Sequence, residues 1–178
     1  MDIETDIVRY KMILFGDMAV GKTSLVERFV NDKFEENYIS TLGYNVYQKQ
    51  IDYCGNIISL MIYDIGGQER FTDLRRKYAQ GADTAFIIYD ITNQESFSNV
   101  LKWKQDLDEM AGKIPFIIIG NKLDLGEHRQ VSKDQALQLC SERGAMAFFE
   151  TSAKDGKGVE DAFIQLAVET FKTYSIEV

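Results

Sequence analysis

The sequence predicts an α/β fold in which a doubly wound, mostly parallel sheet has helices on both faces. The first observation is that short apolar runs, such as residues 116–119, are typical of strands buried on both faces of a sheet. The second is that amphipathic segments of helical period separate these runs. The third is a glycine-rich loop directly after the first run, because ligands of such folds bind at the carboxyl ends of strands.

Hydrophobic period and turn residues define the elements in chain order. The predicted strands are residues 7–15, 44–52, 57–63, 84–89, 116–119 and 147–149. The predicted helices are residues 23–30, a short helix ending near residue 78, residues 95–110, a helix capped by Ser132 that runs to about residue 142, and residues 159–174. Alternation in the second strand indicates an edge strand. A turn at Gly55 and Asn56 joins it to the third strand as an antiparallel hairpin.

Length and charge limit the possible functions. The 178 residues suffice for one well-filled core, so we predict a single domain over residues 1–178. A net charge of −8 argues against nucleic acid as the main partner and against electrostatic docking on anionic membranes. Cys54 and Cys140 lack metal-like spacing and indicate reduced thiols in a cytoplasmic protein. We also expect a monomer, and no lipid-anchor motif is visible in this sequence: Asp2 stands where myristoylation needs glycine, and residues 174–178 lack a cysteine for prenylation. A removed C-terminal tail is the alternative, so membrane association stays open.

The stretch GDMAVGKT has the pattern G-x-x-x-x-G-K-T and lies between the first strand and the first helix, which is the context of a phosphate-binding loop. Its backbone N–H groups and the N-terminus of the helix can bind a polyphosphate. Lys22 can reach the β- and γ-phosphates, and the Thr23 hydroxyl can ligate Mg²⁺. The alternative is a glycine turn followed by a chance GKT. The predicted phosphate-binding residues are Gly16, Asp17, Met18, Ala19, Val20, Gly21, Lys22, Thr23 and Ser24.

Two tetrapeptides that follow buried strands indicate a guanine site. In the first, NKLD at residues 121–124, the Asp124 carboxylate can accept hydrogen bonds from a ring N–H and an exocyclic amine, a pair that guanine offers and adenine does not. Lys122 can lie along the ring. In the second, TSAK at residues 151–154, backbone N–H groups can bind the guanine carbonyl oxygen. Alone, each tetrapeptide is weak evidence, and the first can also be an Asx turn. The predicted base-binding residues are Asn121, Lys122, Asp124, Ser152, Ala153 and Lys154.

Residues near the third strand can sense a γ-phosphate. Asp64, at the end of that strand, can hold Mg²⁺ through water. Gly67 offers an N–H to the γ-phosphate, and Gln68 can orient an attacking water, although a solvated loop glutamine is the alternative. Thr41, in the polar loop before the second strand, can complete the Mg²⁺ shell when a γ-phosphate closes the loop. Phe34, in the same loop, can stack on the base.

With these motifs in order, the chain resembles the small GTPases of the Ras superfamily over about residues 8–174. Within the superfamily it is most similar to Rab proteins, on the evidence of residues 38–43 (YISTLG), 67–71 (GQERF), 89–92 (YDIT) and 150–154 (ETSAK). The resemblance implies a P-loop NTPase domain with a six-stranded sheet, in which the strand at residues 44–52 is antiparallel.

The resemblance also implies a GDP/GTP switch with Mg²⁺. It places Tyr38 among the nucleotide-binding residues and makes Lys22, Thr41, Gly67 and Gln68 the residues that carry hydrolysis. Phe34 is implied to stack on guanine. Residues 34–47 and 64–78 are implied to be the moving switch segments, through which a GTPase-activating protein, an exchange factor and effectors bind.

The chain departs from the family pattern at several positions. Met18 stands where Gly or Ser is usual, and Gly66 where Rabs usually have Ala, so that the Gly-Gly-Gln form is also similar to Arf proteins. Tyr63 replaces a usual Trp, and Val46 a usual Phe, on the surface that Rab partners read.

Three hypotheses follow. The first is a switch that hydrolyses GTP slowly because no arginine finger is evident in the chain. The second is a GTP-binding recruitment module whose hydrolysis Met18 impairs. The third, an ATPase, is disfavoured by Asn121 and Asp124. We expect His128 and the cationic residues at positions 70, 75, 76 and 77 to be solvated, and Trp103 to pack its helix onto the sheet. For the four cationic residues, a role in partner binding is the alternative.

Overall fold

The computed structural model describes residues 5–36, 41 and 43–175. Tyr38 therefore lies outside the described residues, as does part of the predicted switch segment 34–47. The strands are β1 (Ile7–Gly16), β2 (Tyr44–Tyr53), β3 (Asn56–Ile65), β4 (Thr84–Asp90), β5 (Phe116–Asn121) and β6 (Ala147–Glu150). The helices are α1 (Lys22–Asn31), α2 (Thr72–Ala79), α3 (Gln94–Ser98), α4 (Val100–Ala111), α5 (Lys133–Arg143) and α6 (Val159–Ser175), with short 3₁₀ turns at Glu69–Phe71 and Leu123–His128.

The six strands form one sheet in the order β2-β3-β1-β4-β5-β6. All neighbours pair in parallel except β2 and β3, which form the antiparallel hairpin. The predicted sheet is therefore confirmed, and the strand bounds differ from the predicted ones by no more than two residues. Because the chain first builds β3 on one side of β1 and then β4 on the other, the order reverses at β1, where such folds bind their ligands.

Hydrophobic clusters cover the two faces of the sheet. On one face, Leu25 of α1 and Phe163 of α6 pack against the strands, and the Phe29 and Phe163 rings stack at 4.2 Å. On the other face, Trp103 of α4 and Leu139 of α5 lie in the second cluster. The alternation of buried strands and amphipathic helices therefore produces helices on both faces, as predicted.

One predicted helix is wrong. The sequence predicts a single helix over residues 95–110, but the structure has two, α3 and α4, with a break at Asn99. The Asn93 side chain caps α3 by accepting a hydrogen bond from the Ser96 N–H. Asn99 has φ −78° and ψ −8°, and this ψ departs from the value of about −42° in an α-helix, so α3 ends there. Hydrophobic spacing continues through this break, so periodicity did not reveal it.

The helix α5 begins at its predicted cap. Ser132 and Gln135 form a capping box at the start of α5, and Gly144 ends that helix in the left-handed conformation. Of the helices in the described residues, none combines the length and the apolar character needed to cross a membrane.

Candidate functional site

A cavity of about 710 Å³ lies where β1, β3, β5 and β6 end. The predicted residues that line it are Met18, Ala19, Gly21, Lys22, Thr23, Ser24, Phe34, Thr41, Gly67, Asn121, Lys122, Asp124, Ala153 and Lys154. Those that do not line it are Gly16, Asp17, Val20, Asp64, Gln68 and Ser152, all of which lie in the same motifs. Segments from five separate parts of the sequence therefore meet at one site.

The glycine-rich loop encloses the Lys22 ammonium group. Lys22 is buried, and its Nζ donates hydrogen bonds to the carbonyl oxygens of Gly16 (2.8 Å) and Asp17 (2.7 Å). Burial lowers the pKa of Lys22 to about 8, and the carboxylates of Asp64 and Asp17 partly oppose that effect. In the described part of the chain, no side chain caps the N-terminus of α1. The helix N-terminus and a buried cation thus both face a site that suits a polyphosphate.

Three oxygen-bearing side chains meet beside the loop. The Thr23 hydroxyl donates to Asp64 Oδ2 and lies 2.7 Å from the Thr41 hydroxyl. Asp64 is fully buried, and its Oδ1 has no hydrogen-bond partner within the described residues. Burial raises the pKa of Asp64, against the effects of the Thr23 hydrogen bond and of Lys22.

An orphaned carboxylate oxygen next to two hydroxyls fits a hard, oxygen-preferring cation such as Mg²⁺. Among the residues that the structure describes, no group of three or more His, Cys, Asp or Glu side chains could hold a metal ion. A metal at this position would therefore depend on hydroxyls and one carboxylate.

The two base motifs are joined to each other and to the glycine-rich loop. Asn121 Nδ2 donates to the Val20 carbonyl (3.0 Å), and the Thr151 hydroxyl donates to Asn121 Oδ1 (3.0 Å). The Ser152 hydroxyl donates to Asp124 Oδ1 at 2.8 Å. Asn121 therefore has a bracing role in addition to its predicted place in the cavity wall.

Lys122 and the 151–154 loop are fixed from outside the motifs. Lys122 has a left-handed backbone (φ 70°), and its ammonium pairs with Asp90 at 3.0 Å. Arg28 of α1 donates to the carbonyls of Ala153 (2.8 Å) and Lys154 (2.6 Å). Sequence reasoning missed Arg28 because nothing in its local sequence distinguishes it from an exposed helical arginine. It also missed Tyr47 and Glu27, which line the cavity and share a 2.8 Å hydrogen bond.

Gly67 lies directly against the phosphate loop. A Cβ atom on Gly67 would be 2.6 Å from the Gly16 carbonyl oxygen and 3.0 Å from Lys22 Nζ. Gln68 follows it, and its carbonyl accepts a hydrogen bond from Arg75 at 2.8 Å. Met18 is half exposed at the cavity edge, with its backbone nitrogen 3.0 Å from the same Cβ position. Only glycine allows this close approach of the two segments.

One prediction about the non-site residues is wrong, that for Arg75, and those for Trp103 and His128 are confirmed. Arg75 is not solvated: it is 4% exposed because its guanidinium lies over the Trp103 ring and donates to backbone carbonyls. Trp103 does pack near the sheet, with its ring 5.6 Å from that of Phe15, but its Nε1 also donates to Asp17. His128 is exposed, as predicted.

A glycine-rich loop after the central strand of a sheet in this order defines a P-loop nucleotide-binding domain. A family model described as the Ras family matches residues 11–172. The Ras-related protein RIC1 of Oryza sativa subsp. japonica is 42% identical over 161 residues, which are 90% of this chain and 79% of that protein. The Ras-related protein Rab-13 of Canis lupus familiaris is 41% identical over 159 residues, 89% of this chain and 78% of that protein.

The Ras-related protein Rab7 of Pisum sativum is 38% identical over 170 residues, 92% of this chain and 82% of that protein. The chain therefore belongs to the Ras family of small GTPases, with Rab-like sequence character.

Proposed function

We propose that the protein binds GTP and GDP with Mg²⁺, hydrolyses GTP slowly to GDP, and contacts its partners through residues 34–47 and 64–78. The supporting observation is the shared cavity. One wall carries Lys22, Thr41 and Thr23, which is hydrogen-bonded to Asp64, and another carries the motif from Asn121 to Asp124. A triphosphate and a guanine joined by a ribose would need this separation of a cationic, metal-binding end from a base-binding end.

The phosphate end acts through charge. Lys22 would exchange its two carbonyl acceptors for phosphate oxygens, which compensate the charge better than neutral carbonyls do. Thr23 and Thr41 would hold Mg²⁺ with their hydroxyls, and Asp64 would hold it through water. When bound, Mg²⁺ would supply positive charge that offsets the negative charge of the phosphate oxygens.

The base end acts through paired hydrogen bonds. The Asp124 carboxylate would accept from the guanine ring N–H and exocyclic amine, while the Ser152 hydroxyl holds one of its oxygens. Lys122 and Phe34 would lie along the purine, and the backbone of residues 152–154 would bind its carbonyl oxygen. A site with such a carboxylate discriminates strongly against adenine, which lacks the two N–H donors that the carboxylate accepts.

We expect the protein alone to hydrolyse GTP slowly. Gln68 would orient the attacking water and the Gly67 N–H would meet the γ-phosphate, but no arginine is among the cavity-lining residues in the described parts of the chain. For Ras itself, an arginine supplied by a partner raises the rate by about 10⁵-fold, which is about 7 kcal/mol of barrier. We therefore expect fast hydrolysis only with an activating protein.

The partner surface has aromatic character. Tyr78 of α2 lies with its ring centre 4.5 Å from that of Tyr44 and 5.5 Å from that of Tyr63. Tyr44 and Val46 are both more than 40% exposed. Since these contacts join residues 44–47 to residues 64–78, a change in one segment would alter the surface that a partner reads on the other.

The base specificity can be tested by equilibrium binding. We expect the protein to bind GDP at least about 100-fold more tightly than ADP, and Asp124→Ala to weaken GDP binding by at least about tenfold. Asp52→Ala, a control that removes an exposed carboxylate at the far end of the sheet, should leave the affinity within about twofold. Equal affinity for ADP would contradict the proposal.

Single-turnover hydrolysis separates the switch from the recruitment module. Slow conversion of GTP that Gln68→Leu abolishes, and that the control Gln80→Leu does not alter, supports the switch. The half-exposed Met18 at the cavity edge is the observation that supports the alternative, a recruitment module with impaired hydrolysis. If conversion is undetectable in the wild-type protein and appears in Met18→Gly, the protein is instead a GTP-held recruitment module.

A further inference from the structure

The Asp17 carboxylate fastens the phosphate loop to α4. Its Oδ2 accepts a hydrogen bond from Asn99 Nδ2, and its Oδ1 accepts one from Trp103 Nε1, each at 2.7 Å. Asp17 is separated from these donors by 82 and 86 positions in the chain. Both carboxylate oxygens are thus used outside the cavity, so any contact of Asp17 with a phosphate would come from its backbone.

Arg75 of α2 lies over the face of the Trp103 indole. The Arg75 guanidinium carbon lies 5.0 Å from a Trp103 ring centre, an arrangement that favours a cation–π interaction. Its Nη1 donates to the carbonyls of Gly66 (2.7 Å) and Gln68 (2.8 Å), which flank Gly67. Arg75 and Trp103 are 4% and 5% exposed, so water contributes little to these contacts.

The indole therefore joins two segments that form one wall of the cavity. Its N–H edge binds the phosphate loop through Asp17, and its face supports the arginine that holds the carbonyls on both sides of Gly67. Gly67 itself has no spare room, since a Cβ on it would lie 2.6 Å from the Gly16 carbonyl oxygen. Any shift of residues 66–68 relative to the loop would have to move the Arg75 guanidinium over the Trp103 ring.

We propose that Trp103, with Arg75 and Asp17, positions Gly67 and Gln68 against the phosphate loop for GTP hydrolysis, and that the Trp103 indole senses whether a γ-phosphate is bound. This inference rests on the proposed function. It differs from simple core packing in its expected consequences. A packing role would change stability alone, whereas a positioning role changes the rate of hydrolysis at saturating nucleotide and leaves GDP affinity nearly intact.

The sequence contains one tryptophan, so fluorescence excited at the long-wavelength edge of the absorption band, where tyrosine does not absorb, reports on this residue alone. An indole that is hydrogen-bonded to a carboxylate and covered by a guanidinium is sensitive to movement of either group. We expect the emission of the Mg²⁺-loaded protein to differ between GDP and a non-hydrolysable GTP analogue. We expect Arg75→Met to abolish that difference.

The kinetic test compares Arg75→Met with Lys102→Met, a control that removes an exposed cation beside Trp103 on α4. Arg75→Met should lower the single-turnover hydrolysis rate by at least about tenfold while its GDP dissociation constant stays within about threefold of wild type. Lys102→Met should change neither quantity. Trp103→Phe keeps an aromatic ring under Arg75 while it removes the N–H donor and part of the ring volume, and it should lower the rate by at least about threefold.

The outcomes separate this inference from the proposed function. If the wild-type protein binds GDP and hydrolyses GTP, but Arg75→Met and Trp103→Phe both hydrolyse at the wild-type rate, the inference alone is overturned. An emission difference that persists unchanged in Arg75→Met would also overturn it. A wild-type protein that binds no guanine nucleotide would overturn the proposed function and this inference with it.

Discussion

Replacing Gly21 with alanine tests whether the phosphate loop and the base motif are built as one unit. Gly21 has a left-handed backbone (φ 98°), and a Cβ there would lie 2.3 Å from Asn121 Nδ2. Asn121 is buried, and the same nitrogen donates to the Val20 carbonyl. Alanine would therefore strain the backbone and displace the amide that connects the two motifs.

The expected loss of stability has two parts. A left-handed backbone costs a non-glycine residue about 1–2 kcal/mol. An ordinary contact is 3.4 Å or longer, so the Asn121 amide must move by about 1 Å, which breaks its hydrogen bond and leaves a buried carbonyl unpaired at a cost of about 1–3 kcal/mol. The free energy of unfolding should fall by about 2–5 kcal/mol, measured by urea denaturation in EDTA without nucleotide.

Gly55→Ala is the matched control. Gly55 also has a positive φ (79°), but a Cβ there would meet nothing within 4 Å. It should lose only the backbone part, about 1–2 kcal/mol. If Gly21→Ala costs no more than Gly55→Ala, the argument about Asn121 is wrong. A second check is Asn121→Ala in the Gly21→Ala background, which should cost less than the sum of the two single changes because the clash is gone.

The other predictions concern the metal, the thiols and a cap. In a nucleotide titration, EDTA should weaken GDP binding to the wild-type protein by at least about tenfold. EDTA should weaken GDP binding to Asp64→Ala by less than about threefold, because that variant has already lost the carboxylate that would hold Mg²⁺. Burial raises the pKa of Cys140 to about 11, so roughly one part in 10³ of it is thiolate at pH 8. A thiol reagent at pH 8 should therefore titrate one thiol per native chain, at the exposed Cys54, and two after denaturation; rapid reaction of both in the native state would refute this. Ser132→Ala removes the capping box with Gln135 and should lower the free energy of unfolding by about 1 kcal/mol in urea denaturation; an unchanged midpoint would show that the cap contributes nothing.

Local patterns in the sequence predict much of this fold, and the reason is physical. The strand at residues 116–119 and the Ser132 cap depend on neighbours within a few positions, so hydrophobic period and cap chemistry suffice to find them. The glycine-rich loop and the NKLD and TSAK motifs each lie at the end of a strand, and parallel strands bring their ends to one edge. The cavity where these motifs meet follows from their positions in the sequence.

The sequence interpretation fails where a side chain takes its partner from a distant element. Arg75 has the charge and the neighbours of a solvated helical residue, but it is buried because the carbonyls of Gly66 and Gln68 and the face of Trp103 surround its guanidinium. The break at Asn99 is hidden for a similar reason. Its amide is used by Asp17, 82 positions away, and no local period reports such a contact.

These long-range contacts turn separate motifs into one site. Asn121 donates a hydrogen bond to the Val20 carbonyl of the phosphate loop. Arg28 lies on α1, the helix that follows this loop, and donates hydrogen bonds to the carbonyls of Ala153 and Lys154. The base-binding segments are therefore attached to the phosphate-binding segment at two independent points. Because of this attachment, a change at Gly21, which is a phosphate-loop residue, should weaken recognition of the base by displacing Asn121. The motifs specify which groups face the nucleotide, and the contacts between the motifs fix the distances at which those groups act together.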